Sequence, residues 1–273
     1  MDLSIIILNY RSKGLCKTCL RGILKIPFDL KYEIIVLDNG SNDGIDEMMA
    51  KDYPDIPYIQ TGSNLGHSAG NNLGIQAAKG DYLLILNPDI TVTDRAFETM
   101  VQYMKQHPEV GVVGCKLLNP DKSIQYSCRR FYRPLTPLLS RTFLGKTSLG
   151  QKHMDHFLMK DMDHNQTQPV NWVQGSCMMI KKSLINEIGA FDERFFLYFS
   201  DVDLCFRAWT ANWEVHYLAE ARVIHYFHRE SAGGLKILLN RIGRIHIKDW
   251  VTYLKKHLSK PLLYDTTAKR PRA

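Results

Sequence analysis

Four acids and one histidine carry the chemistry this chain could perform: Asp38, Asp89, Asp201, Asp203 and His225. Asp38 opens Asp38-Asn39-Gly40-Ser41-Asn42-Asp43-Gly44, a run of turn formers. Asp89 ends Asn87-Pro88-Asp89, straight after the apolar run from Tyr82 to Leu86. Such a run predicts a strand buried on both faces, and Pro88 cannot continue a central ladder. A carboxylate would then stand at the carboxyl end of a buried strand, where open α/β sheets bind ligands. Mg²⁺ or Mn²⁺ takes carboxylate oxygens together with ligand phosphates, and Mn²⁺ also accepts an imidazole. Together the five residues predict an open one-metal site completed by a diphosphate, with a separate carboxylate as base. Each also has a structural reading. Asp38 and Asp89 could cap turns, and Asp201 and Asp203 suit a helix N-terminus through the macrodipole. His225 could be a half-buried core histidine. Asp201 and Asp203 are two positions apart, so on a helix they point to different sides. They are therefore not expected to form the acid–base pair that glycoside hydrolysis requires.

Positioning these groups requires alternating elements. Residues 3–8 read as a strand. A helix follows, with Ser12 as N-cap and Leu15, Cys19, Leu20, Ile23 and Leu24 at helical spacing, ended by Pro27. Residues 33–37 form a second strand, a short helix runs to about Lys51, and residues 58–60 form a third strand. The small-residue stretch from Asn64 to Gly74 leads into a helix ending near Gly80. After strand 82–86, Thr93 is expected to cap a helix through Gln106, and residues 110–116 form another strand. Such alternation predicts βαβ units and a mainly parallel sheet with helices on both faces. Residues 119–168 lose this periodicity and read as an insertion too long for an idle loop. Residues 172–180 form a strand interrupted by Gly175-Ser176, and 183–188 a short helix. The two carboxylates of Asp201 and Asp203 open a further helix. Residues 214–218 and 222–225 read as two short strands, 235–258 as a long helix, and 261–273 as a disordered tail.

Composition narrows the classes. At 273 residues and 45% apolar the chain can bury a core without staples. No apolar run reaches the ~20 residues of a membrane span, and residues 3–8 read as a strand rather than a leader. Six scattered cysteines show no disulfide framework, which points to a reducing cytoplasm. Cys16-x-x-Cys19 lies in a helical pattern with no second pair to complete a zinc site. The net charge of +7 favours anionic partners.

The order of the acids along one α/β chain resembles the inverting family 2 glycosyltransferases, and within them the rhamnosyltransferase-like group. The resemblance covers residues 3–232. It rests on Ile7-Leu8-Asn9-Tyr10, Asp38 to Gly44, Asn64-Leu65-Gly66 with Gly70-Asn71-Asn72, Leu86-Asn87-Pro88-Asp89, Gly175 after Trp172, and Phe196 to Asp203. It implies an α/β GT-A fold: a Rossmann-like, mainly parallel sheet flanked by helices, with a C-terminal helical extension. Residues 1–116 would bind the nucleotide sugar, 117–232 would form the acceptor side, and 233–260 would be a basic amphipathic helix. The resemblance further implies that Asp38 contacts the pyrimidine base of a dTDP- or UDP-sugar. Leu8, Asn9, Tyr10, Asn39, Ser41, Asn64, Gly66, Asn72, Asn87 and Gly175 would line the donor. Asp89 and His225 would hold a divalent metal, and Asp201 would be the base. Asn87 stands where the family's Asp-x-Asp motif has its first carboxylate, and Ser200 replaces the acid that commonly precedes the base. Trp172, Arg129, Arg130, Asp203 and His228 are expected on the acceptor or diphosphate side.

Inverting transfer needs one base for the acceptor hydroxyl and a stabilised diphosphate leaving group. The acceptor implied is a glycan or a polyisoprenoid-linked saccharide, in the cytoplasm or at the inner face of the cell membrane. The last helix could dock on that membrane or pack on its own domain, and the packed reading is preferred. A nucleotidyltransferase would want a richer glycine loop than Asn9 to Gly14 provides. A nucleotide-sugar sensor without catalysis remains open. A nucleic-acid binder would show a steep salt slope, and no nucleic-acid partner is expected.

Overall fold

The computed structural model describes residues 1–93, 95–226 and 241–257, and of Arg141 the backbone only. The first half alternates β1 (Leu3–Asn9), α1 (Lys13–Lys25), β2 (Tyr32–Asp38), α2 (Ile45–Asp52), β3 (Tyr58–Gln60), α3 (Gly66–Ala77), β4 (Tyr82–Leu86), β5 (Ile90–Val92), α4 (Ala96–Gln106) and β6 (Val110–Leu118). The second half adds β7 (Ile124–Gln125), β8 (Cys128–Arg129), α5 (Thr136–Arg141), a 3₁₀ turn (Phe143–Lys146) and α6 (Ser148–Phe157). It continues with β9 (Gln168–Pro169), β10 (Trp172–Val173), β11 (Cys177–Lys181), α7 (Lys182–Ile188), α8 (Ser200–Thr210), β12 (Glu214–His225) and α9 (Arg241–His257).

The main sheet runs β3-β2-β1-β4-β11-β6-β12-β5. Strands β3, β2, β1 and β4 are parallel, as are β6 and β12. Antiparallel β11 wedges between β4 and β6. The apolar strands are covered on both faces, which is why their sequences do not alternate. Along β4, Leu83 and Ile85 join one core with α3 and α8, while Leu84 and Leu86 join another with α1, α2 and α4. Helix α3 lies close on β1 and β2, because a Cβ at Gly74 would overlap Ile6 and Leu37.

Several expected elements differ. Ser12 stands at the N-cap position of α1, but its hydroxyl donates to Asn9 Oδ1 instead of capping. Arg95, in the left-handed region at φ 59°, precedes α4 in place of Thr93. The Thr93 hydroxyl instead donates to the Arg222 carbonyl across to β12. The expected strand 172–180 divides at Gly175-Ser176: β10 pairs with β8 in a small second sheet, and β11 enters the main one. The two expected strands at 214–225 are one, with an irregularity between Leu218 and Arg222. The 119–168 insertion holds α5, α6 and three short strands. The start of the expected 235–258 helix, and the 261–273 tail, lie outside the described residues.

All six cysteines are free and buried. Burial pushes the Cys16 thiol up to about 12, and Cys19 higher still, so neither presents a thiolate.

Candidate active site

The sheet collects the expected residues at the carboxyl ends of its strands. Asn9 ends β1 and Asp38 ends β2, and the two are in register. The Asn9 amide donates to Asp38 Oδ1 (3.2 Å) and to Ser41 Oγ (3.0 Å). The Ser41 N–H donates back to both Asp38 oxygens, and the Arg11 N–H to Ser41 Oγ. Asn39 bridges to the next loop. Its amide donates to Asn64 Oδ1 and to the Gly66 carbonyl, and its Oδ1 accepts from the Leu65 N–H. Asn64 Oδ1 also accepts from the Gly66 N–H. Gly66 is required there, since φ is +87° and a Cβ would meet the Phe196 carbonyl. Leu8 is half-buried beneath Gly70, and Tyr10 is exposed at the rim with the Arg11 guanidinium over its ring (5.3 Å).

Asn72 departs from expectation. Its amide donates to the Phe191 carbonyl and Glu193 Oε1, and its Oδ1 accepts from the Phe191 N–H. Those bonds occupy it in holding residues 191–193 rather than leaving it to a ligand.

Asp89 and His225 come together although 136 positions separate them. Short β5 pairs with β12 and sets Ile90 opposite His225. His225 Nε2 then lies 3.4 Å from Asp89 Oδ2. Gln125 fixes the tautomer. Its Nε2 donates to the Asn119 side chain and to the His225 carbonyl, so its Oε1 faces His225 Nδ1 at 2.8 Å. That oxygen can only accept, so Nδ1 carries a proton and Nε2 is the nitrogen presented to Asp89. An imidazole nitrogen beside a carboxylate oxygen is a donor set that Mn²⁺ accepts. Asp89 Oδ1 is moreover buried without a hydrogen-bond partner, as are Ser176 Oγ, in the residue whose carbonyl accepts from the Asn87 N–H, and Asn71 Oδ1 on α3. Buried polar atoms cost about 1–3 kcal/mol each when unpaired, and a ligand would satisfy them. Among the described residues no three His, Cys, Asp or Glu gather into a metal cluster. The pair therefore fits an open site that needs outside oxygens. Asn87 is half-buried, and its N–H donates to the Ser176 carbonyl.

Asp201 sits in the first turn of α8, behind Phe199 at φ 68°. Its Oδ2 accepts from the Gly175 N–H (3.2 Å) and its Oδ1 from the Val202 N–H (2.9 Å). His67 packs against the same place, with Nδ1 3.3 Å from Ser200 Oγ and its ring near that of Phe191. Burial lowers the His67 pKa, and the Asp201 charge opposes this only in part. His67 is thus a neutral neighbour of Asp201.

Asp203 does not join the site. It is fully buried on the other side of α8, bound by Arg207 Nε, Lys256 Nζ and His257 Nε2 at 2.7–2.9 Å. Burial alone would raise its pKa, but these partners outweigh that and hold it below the usual range. Trp172 is also core: it is 2% exposed and its indole N–H donates to the Arg130 carbonyl. Arg130 turns away to grip both Asp161 oxygens. Arg129 stays half-exposed, stacked over Trp172 (5.0 Å) two residues from Gln174-Gly175 in the paired strand. His228 lies outside the described residues.

Asp249 is the residue that sequence reasoning missed. It lies on α9, fully buried, and accepts the N–H groups of Phe196 (3.2 Å), Leu197 (2.9 Å) and Tyr198 (2.9 Å). That is the segment leading into Asp201. His246, one turn earlier, packs on the Tyr198 and Phe199 rings. A signal existed, since Asp249 is the single acid between 241 and 257.

Residues 4–189 match the family model described as Glycosyl transferase family 2. The chain belongs to that family. It is 28% identical over 218 residues, 74% of this chain and 69% of the relative, to the N-acetylglucosaminyl-diphospho-decaprenol L-rhamnosyltransferase of Mycobacterium tuberculosis. It is also 28% identical to the rhamnosyltransferase WbbL of Escherichia coli, over 84% of each chain. Among solved structures, GalNAc-T7 with UDP, GalNAc and Mn²⁺ superposes with a TM-score of 0.63 at 16% identity. The mannosyltransferase PcManGT of Pyrobaculum calidifontis, with GDP-Man and Mn²⁺, gives 0.59 at 16%. The matches cover 98% and 93% of this glycosyltransferase but 52% and 64% of those chains. They show the GT-A fold.

Proposed function

We propose that this glycosyltransferase moves a sugar, with inversion, from a nucleoside-diphosphate donor to a hydroxyl of a glycan or polyisoprenoid-linked acceptor in cell-surface polysaccharide synthesis. Rhamnose is the donor sugar favoured by the names of the two rhamnosyltransferase relatives, and dTDP or UDP as its carrier follows from the family resemblance of the Asp38 loop. The observation that carries the reading is the pairing of Asp89 with His225 Nε2, beside an unpartnered Asp89 oxygen, at the strand ends.

Asp38, Asn9 and Ser41 offer a preformed pocket floor for the base, and Asn39 with Asn64 fixes the second wall. Asp89 and His225 would hold a divalent ion, which when bound neutralises the diphosphate as charge develops on it. Asn87, uncharged, is left with hydrogen bonding to the donor. Asp201 takes the acceptor hydroxyl proton while the acceptor oxygen bonds to the anomeric carbon. The bond from that carbon to the diphosphate breaks, and the nucleoside diphosphate leaves. The Gly175 and Val202 N–H groups orient the Asp201 carboxylate, and neutral His67 adds no competing positive charge.

The test is nucleoside diphosphate release from a panel of nucleotide sugars with a lipid-linked acceptor, with Mn²⁺ or Mg²⁺ and with chelator. Turnover should need metal. Asp201→Asn should cut it by about 10²–10⁴-fold, the span of a lost general base, with donor affinity kept. Turnover intact in Asp201→Asn would remove the base assignment. Donor binding without turnover in the parent protein would favour the sensor reading.

A further inference from the structure

Residues 135–149, which span α5, the 3₁₀ turn and the start of α6, carry the three most exposed large apolar side chains among the described residues. Leu149 is 81% exposed and Phe143 74%, with Leu135 at 62%, Leu138 at 46% and Leu144 at 38%. Monomeric surfaces seldom gather such residues without use. The segment is folded on itself: Thr136 Oγ and His153 Nε2 lie 2.8 Å apart, tying α5 to α6.

Charge identifies the occupant. Residues 133–153 contain Arg133, Arg141, Lys146 and Lys152 and no Asp or Glu. Arg133, Lys146 and Lys152 are exposed. The nearest following acid, Asp155, is paired with Lys160. A second copy of the chain would oppose cation with cation across this surface. An anionic bilayer supplies both missing partners, headgroup phosphates for the cations and an acyl boundary for Phe143 and the leucines. The position suits the site as well. Tyr132, just before the segment, packs its ring 4.9 Å from Phe199, two residues ahead of Asp201. Helix α9 offers less, because it turns His246, Asp249, Tyr253 and His257 inward. No described helix is long and apolar enough to cross a membrane.

We infer that the α5–α6 segment is the surface by which this protein docks on an anionic lipid bilayer. Phe143 and Leu149 enter the headgroup boundary, and Arg133, Lys146 and Lys152 lie on the phosphates. Docking needs neither donor nor acceptor, so it stands apart from the sugar-transfer reading.

The experiment is co-sedimentation of the full chain with phosphatidylcholine vesicles, with and without phosphatidylglycerol, in the absence of donor and acceptor. The parent should bind the anionic vesicles, and less so as salt rises. The double variant Phe143→Glu/Leu149→Glu should lose at least about tenfold in partitioning, and Lys146→Gln about fivefold. Val251→Glu on α9 should bind as the parent does. Thermal unfolding midpoints should be unchanged, since these side chains face solvent. The double variant should still turn over a detergent-dispersed acceptor if the transferase reading holds, so the two ideas fail separately. Absence of parent binding would overturn the docking assignment. So would release by Val251→Glu alone, or a parent dimer that the double variant splits while vesicle binding persists.

Discussion

The two sides of the site are built on different principles. On the side proposed for the donor, Asp38, Asn39, Ser41 and Asn64 hold one another through hydrogen bonds between neighbouring loops. The network is short in sequence and satisfied without a ligand. On the side proposed for the acceptor, the segment carrying Asp201 makes a left-handed step at Phe199 and is clamped from a remote helix. Asp249 takes three of its N–H groups, and Lys256 and His257 anchor α8 through Asp203. A self-contained loop can be altered locally. A clamped one depends on an element some fifty residues away, so damage there should reach the chemistry without touching the donor.

Asp249→Ala should give the largest effect among changes outside the proposed base. It leaves three N–H groups without an acceptor, at about 1–3 kcal/mol of stability each if they stay buried. Displacing Asp201 by a fraction of an ångström should lower kcat by about 10–100-fold, with the donor KM little changed. Asp249→Asn keeps one acceptor oxygen and should recover part of the loss. Steady-state kinetics with thermal unfolding would show this, and a rise in donor KM with kcat intact would erase the contrast between the two sides.

The reciprocal change is Asn39→Ala. It unties the Asp38 loop from the Asn64 loop. Donor KM should rise about tenfold, the worth of roughly one net hydrogen bond, and kcat should stay within about threefold. Equal losses in both constants would mean that the donor loops also position the acceptor side.

The smallest effect is on pH. His67, His164 and His216 all have pKa values lowered, chiefly by burial. Their unfolded forms titrate near 6.5. Below that pH the unfolded chain takes up protons that the folded chain refuses, so stability falls as pH drops and is fully present above it. Unfolding midpoints should therefore decline between about pH 7 and 5. His67→Gln should flatten the slope while leaving the midpoint at pH 8 nearly unchanged. A steeper slope in His67→Gln would contradict a neutral His67.

Legibility followed the same division. Strand β4 begins and ends where periodicity puts it, because a strand covered on both faces must be apolar throughout. The Asn9–Asp38 and Asn39–Asn64 contacts follow from strand ends that register anyway. The antiparallel pairing of β11, its separation from β10, and the short strands β7, β8 and β9 were not legible, since pairing is decided by what lies beside each strand. Asp203 is expected from the sequence on the acceptor or diphosphate side and is instead a buried anchor, and α9 looked like a helix that would pack through its isoleucines and leucines. Its buried face is instead Gly243, His246, Asp249, Tyr253 and His257, because the surface it meets offers unpaired N–H groups and a carboxylate.

By itself the sequence determined the layered α/β sheet, the strand-end acids and the separation of Asp201 from Asp89 along the chain. Those follow from local periodicity, turn chemistry and residue type. Only the tertiary structure decided that β5 sets His225 beside Asp89 and that Gln125 fixes its tautomer. It also decided that Asp203 is a buried anchor and that Asp249 holds the segment before Asp201. Each of these is a contact across 50 or more residues. Its energy depends on which buried donors and acceptors remain unpaired once the chain has closed on itself.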